Sequence, residues 1–215
     1  MKNKDAALED EARKNFENLP NEICEFNLKK IFAEDEDKFI YFSFENEKTR
    51  RAVTAYFHEE TSEFKVRVKI GLTEFCLTEF FTEDFNIFCE MIFAKLEGLI
   101  KKISADEDLN PIVKEKNFAA WEYGKNLPKK IGNFELFISP QNPVPFTNGS
   151  HILINYSDFE NSNDLTIYYN IYGENFSGET RIKNVPHIIY SFDSENLSEL
   201  ESKLQENLEA ELNKY

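Results

Sequence analysis

One segment of this chain is written twice, and that repetition limits the possible folds more than any other feature. Asn18-Leu19-Pro20-Asn21-Glu22-Ile23-Cys24-Glu25-Phe26-Asn27-Leu28 aligns with Asn126-Leu127-Pro128-Lys129-Lys130-Ile131-Gly132-Asn133-Phe134-Glu135-Leu136. Both read NLPxxIxxFxL, at an offset of 108. Further on, an ungapped offset of 112 carries Thr54 to Thr166, Tyr56 to Tyr168, Phe64 to Phe176, Ile70 to Ile182 and Phe80 to Phe192. The step from 108 to 112 places four extra residues in the second copy, within the proline-rich stretch Pro140–Gly149. A pattern repeated at this spacing encodes one supersecondary unit used twice.

The physical pattern repeats along with the letters. Phe85, Phe88, Ile92, Leu96 and Ile100 step by three and four residues and mark one face of an amphipathic helix. Their offset partners are Leu197, Leu200, Leu204, Leu208 and Leu212, the same face in the same register. Thr82 and Ser194 precede these helices and read as hydroxyl caps followed by acids. Alternation predicts five strands in copy one, near Ile23–Phe32, Lys38–Glu45, Arg51–His58, Glu63–Ile70 and Thr73–Phe81. In copy two it predicts Ile131–Ser139, His151–Tyr156, Leu165–Tyr172, Phe176–Ile182 and Val185–Phe192. A first helix is expected over Asp5–Asn18, with Leu8, Ala12 and Phe16 on one stripe and Pro20 ending it. Its counterpart should start at Pro111 and stop at Gly124.

Short connections favour antiparallel neighbours, because a parallel crossover needs a dozen residues or more. The expected fold is therefore α+β and tandemly duplicated. Each copy should hold a short helix, a roughly five-stranded antiparallel sheet and a long C-terminal helix packed on one sheet face. Copy one spans residues 5–103, a linker 104–110, and copy two 111–215 with its insertion near 140–149. The order of helix, NLP turn, strands and long helix resembles small acidic α+β adaptors and secretion chaperones, although the helix those chaperones insert mid-sheet is absent.

Charge narrows the function. The chain has 25 Lys and Arg against 40 Asp and Glu, a formal −15 over 215 residues. Direct nucleic-acid binding is not expected, because phosphate neutralisation needs clustered cations. No apolar leader opens the sequence, no run of 18 apolar residues suits a membrane, and Cys24, Cys76 and Cys89 form no paired motif. These features suit a cytoplasmic protein.

Catalytic signatures are missing. There is no GxGxxG, GxxxxGK[ST], HExxH or GxSxG, and His58, His151 and His187 lack metal-ligand spacing. The run Glu34-Asp35-Glu36-Asp37 lacks the Gly and the spaced Glu of a calcium loop and reads as a solvated hairpin turn. No catalytic residue, cofactor or metal ligand is expected.

Two features single out contact residues. Lys65, Arg67 and Lys69 share one face of a strand and, with Arg50 and Arg51, form the basic region of an acidic chain. They suit an acidic partner, or cross-strand pairing with neighbouring Glu. Phe146 stands in the proline-rich insertion, where a loop can present it to a partner. The expected function is protein–protein binding without catalysis: an adaptor, a chaperone-like protein, or an acidic neutralising partner of a basic protein, with homo-oligomers open to it. The alternative is a small-molecule binder or enzyme with a pocket between sheet and helix or between the copies.

Overall fold

The computed structural model describes residues 2–104 and 111–214, with side chains from residue 9 onward. The expected linker 104–110 lies outside the described residues except for Ser104, and so does the side chain of Leu8. The chain divides into two compact units, Met1–Ser104 and Ala105–Tyr215. Each is an α+β body built on an antiparallel sheet and closed by a C-terminal helix. Among the described residues no helix is long and apolar enough to cross a membrane.

Unit one opens with α1 (Lys2–Asn15) and a 3-10 turn at Phe16–Asn18. Six strands then run as a meander: β1 (Glu22–Ile23), β2 (Phe26–Asp35), β3 (Lys38–Asn46), β4 (Arg51–His58), β5 (Glu63–Ile70) and β6 (Thr73–Cys76). The sixth strand arises because the expected first strand breaks. Cys24 and Glu25 both take positive φ, which folds β1 back on β2 as a tight hairpin. A 3-10 turn at Thr78–Phe80 leads to α2 (Phe85–Ile103). The core is aromatic. Phe16 meets Phe42 at 5.0 Å between ring centroids, and Phe64 meets Phe85 at 5.4 Å and Phe88 at 5.3 Å. Burying each such ring stabilises the fold by about 1.5–3 kcal/mol, and an edge-to-face pair adds about 0.5–1.5.

Unit two starts with three short turns where one helix was expected: α3 (Pro111–Glu115), a 3-10 turn at Phe118–Ala120, and α4 (Glu122–Lys125). Asn117 ends α3 by taking φ +60°, a left-handed conformation that no continuing helix permits. Gly124 stops nothing; it lies inside α4, where a Cβ would meet Trp121 Cε3 at 2.5 Å. The seven-stranded sheet holds β7 (Lys130–Ile131), β8 (Phe134–Ile138), β10 (Ser150–Asp158), β11 (Asn163–Asn170), β12 (Asn175–Ile182) and β13 (Val185–Ser194). The seventh, β9 (Val144–Pro145), comes from the proline-rich insertion and pairs with β10. α5 (Leu197–Leu212) closes the unit, with Leu200, Leu204, Leu208 and Leu212 buried in its core.

The ladders of the two sheets correspond pair by pair. Adding 112 to Lys38↔His58 yields Ser150↔Asn170, and adding it to Arg51↔Ile70 yields Asn163↔Ile182, in line with the observed Asp164↔Arg181. Arg67↔Cys76 becomes Glu179↔Ile188 in the same way. The β3–β4 ladder shifts register past Tyr41, and the β10–β11 ladder shifts past Leu153, its offset partner. An offset of 108 converts Glu22↔Asn27 into Lys130↔Glu135.

The helix caps differ from expectation. Asp84 caps α2 by accepting from Asn86 N and Ile87 N, and Asn196 caps α5 by accepting from Glu199 N. Thr82 and Ser194 are not the caps because both still pair with the sheet, opposite Phe64 and Phe176. Extended backbone held in a ladder cannot begin a helix, so the caps fall two residues later.

Candidate functional site

The structure does not gather the basic residues into one open patch. Arg51 lies opposite Ile70 on the core face of β4, is buried, and sends Nη1 to Ile103 O at 2.5 Å. It thereby caps the negative end of α2, and burial lowers its guanidinium pKa to about 10. The period of two that aligns Lys65, Arg67 and Lys69 excludes Arg51 from their face, which corrects its grouping with them. Lys65 is only 7% exposed, bonds Glu63 at 2.9 Å and Thr61 Oγ1 at 2.8 Å, and lies over the Phe81 ring. Arg67 and Lys69 both pair with Glu74 on β6, each at 3.4 Å. Arg50 is exposed at φ +50° in the turn before β4. Pairing with acids, along β5 for Lys65 and across to β6 for Arg67 and Lys69, thus accounts for the charged stripe.

Phe146 points inward. It is half-buried with its ring 5.2 Å from that of Tyr168, while Phe146 N donates to Ser150 O. The insertion is tied to the sheet through β9, so the loop covers a sheet face rather than presenting an aromatic finger.

Sequence reading passed over the other edge of unit two. β13 is the terminal strand of its sheet and runs for ten residues. Ile188 is 70% and Tyr190 75% exposed, and Val185 also lies open. From Val185 to Phe192 the strand carries no Lys, Arg, Asp or Glu. Edge strands usually carry charge or stay short because their unpaired N–H and C=O groups invite another strand. The signal was in the sequence as a strand free of charge from Val185 to Phe192 and guarded only by Pro186 near its start, but only the sheet order places it at an edge.

Two polar clusters complete the picture. Asn155 Nδ2 donates to Thr166 Oγ1 at 2.8 Å, Ser157 Oγ donates to Asn155 Oδ1, and Thr166 Oγ1 donates to Asp164 Oδ1. Asp164 is buried, its Oδ2 has no partner among the described residues, and desolvation raises its pKa to about 6. The other cluster joins two turns of unit one. His58 Nε2 lies 2.8 Å from Asp37 Oδ2, its Nδ1 lies 2.9 Å from Thr61 Oγ1, and Glu60 stands beside them. A bond from Lys38 holds the Asp37 carboxyl below its ordinary pKa. Spacing along the chain could not group these residues, because Asp37 reaches the others only across a hairpin.

Two of the surface hollows bear on the small-molecule reading. One, of 350 Å³, is lined by Glu22, Glu25, Lys29 and Glu47 among others; the second, of 460 Å³, by Tyr123, Ile131, Leu204 and Leu208 among others. Neither lining includes a His or a buried acid. No protein-family model, curated protein or solved structure significantly matches this chain.

Proposed function

We propose that this is a non-catalytic protein-binding molecule whose second unit takes up an extended segment of another protein along the outer edge of β13. The observation that carries the reading is a ten-residue edge strand with Ile188 and Tyr190 exposed and no charged residue from Val185 to Phe192. Its free backbone groups select an extended partner, and its exposed side chains select apolar residues at alternate positions. The partner is basic. α5 packs against β13 and carries Glu199, Glu201, Glu206, Glu209 and Glu211 against a single Lys203, within a chain of net charge −15. The adaptor and neutralising-partner roles both fit this mode of binding. The hollow beside α5 is where the small-molecule alternative would be seated; its lining mixes Tyr123, Ile131, Leu204 and Leu208 with Lys130 and Glu209 and includes no His or buried acid.

We also infer a tandem duplication behind the two units. The matching ladder registers support it, as does the recurrence of one buried pair: Ser43 with Thr54 in unit one, Asn155 with Thr166 in unit two, both offset by 112.

Fluorescence anisotropy with a ten-residue peptide alternating Val and Lys tests the docking reading. Binding should weaken steeply from low to high salt. The double variant Ile188→Lys, Tyr190→Lys should lose at least tenfold in affinity while its circular dichroism stays unchanged. A Val/Glu peptide that binds as tightly, or a double variant that binds as well, overturns the reading.

A further inference from the structure

We propose that Asp37, His58 and Glu60 form a site for one divalent transition-metal ion, of which Zn²⁺ is the type. Their ligand atoms, one nitrogen and two carboxylate oxygens, all lie within 4.8 Å of one another. The backbone brings them together. Lys38 pairs with His58 at the open end of the β3–β4 ladder, and Glu59 N donates to Asp37 O at 2.9 Å, so Asp37 is held beside the turn that bears Glu60.

The imidazole turns Nε2 toward the carboxylates, and a bound ion would take the place of the proton that Nε2 shares with Asp37. Nδ1 is engaged by Thr61 Oγ1, which leaves Nε2 aimed at Asp37 Oδ2. Ligating histidines are normally held this way, with the second ring nitrogen in a hydrogen bond that sets the tautomer. Thr61 is itself fixed by Lys65, a buried side chain anchored by Glu63. Thus the innermost residue of the charged stripe positions the histidine.

A mixed nitrogen and carboxylate set favours Zn²⁺ and its neighbours over Ca²⁺ or Mg²⁺, which prefer oxygen alone. Tetrahedral Zn²⁺ places its ligand atoms about 3.3 Å apart, so the carboxylates need only small side-chain rotations, and Glu60 is exposed and free to make one. Three protein ligands leave the fourth position to water. Lys38 Nζ lies 2.9 Å from Asp37 Oδ1 and competes for that carboxylate's charge, but the oxygen facing His58 is the other one.

Isothermal titration of the full chain with ZnCl₂ tests the site. One ion should bind per chain. His58→Ala should weaken binding at least tenfold, Glu60→Gln should weaken it severalfold, and Lys38→Met, which removes the competing cation, should tighten it. CaCl₂ and MgCl₂ at equal concentration should not displace the ion. Absence of binding overturns the proposal. Unchanged binding in His58→Ala also overturns it, placing the ion on other ligands such as Cys24 or His187, and displacement by Ca²⁺ overturns the choice of metal. Circular dichroism of each variant separates loss of a ligand from loss of the fold.

Discussion

The two units share a ladder and differ at its outer edge. Unit one ends its sheet with β6, four residues long, whose Glu74 pairs with Arg67 and Lys69 and whose Cys76 sits 3.1 Å from Tyr56 Oη. The chain then leaves the sheet through the 3-10 turn at Thr78–Phe80. Unit two continues in strand through the matching stretch. Pro186 stands where Glu74 was, Ile188 replaces Cys76, and Tyr190 replaces Thr78. Both units still bury the matching aromatic, Phe80 in one and Phe192 in the other. The core face is thus held constant while the edge changes from short and charged to long and apolar. Interior ladder positions are constrained by packing on two sides, whereas an edge answers only to solvent or to a partner.

The equivalence of the cores faces the largest test. Phe88 on α2 and Leu200 on α5 occupy matching positions and are fully buried. Phe88→Ala should cost about 3–5 kcal/mol and Leu200→Ala about 2–5, read by urea denaturation. A cost below about 1 kcal/mol at either position breaks the correspondence of the two helix faces.

A buried acid separates the units next. Asp164 occupies the place of Ala52 in unit one. Its pKa is raised from 3.8 to about 6 by desolvation, so between those values the folded state binds more protons than the unfolded chain. Stability should therefore fall as pH rises from about 4 to about 6 and then level off, by about 3 kcal/mol at most. Asp164→Asn should remove that decline and leave the protein more stable at neutral pH. Denaturation at a series of pH values checks both, and a decline that survives in Asp164→Asn assigns it to another group.

The smallest effect lies at the charged edge. Glu74→Gln removes the partner shared by Arg67 and Lys69, both partly solvated, and should change stability by less than about 1 kcal/mol, with the difference shrinking in high salt. A larger, salt-independent loss would make electrostatics a structural element of that edge.

Several elements were legible from the letters. β4 and β5 both match their expected ranges, and in β5 strict alternation of Phe64, Val66, Val68 and Ile70 with Lys65, Arg67 and Lys69 marks the strand. The faces of α2 and α5 follow from three- and four-residue spacing. Elements set by backbone conformation were not legible. The hairpin at Cys24 and Glu25 and the break at Asn117 depend on positive φ at residues other than glycine, which propensity does not foretell. Of the candidate contact residues, alternation placed Lys65, Arg67 and Lys69 on one face, but Arg51 needed the ladder and Phe146 needed β9 to be located.

By itself the sequence determined the α+β class, the recurrence of the letters NLPxxIxxFxL, the helix faces and the net charge, because each is a local or periodic property of the letters. Only the tertiary structure decided which strand lies at an edge and which cations are already paired. It alone decided that Asp37 meets His58 and Glu60, since those facts depend on contacts between residues that the chain order keeps apart.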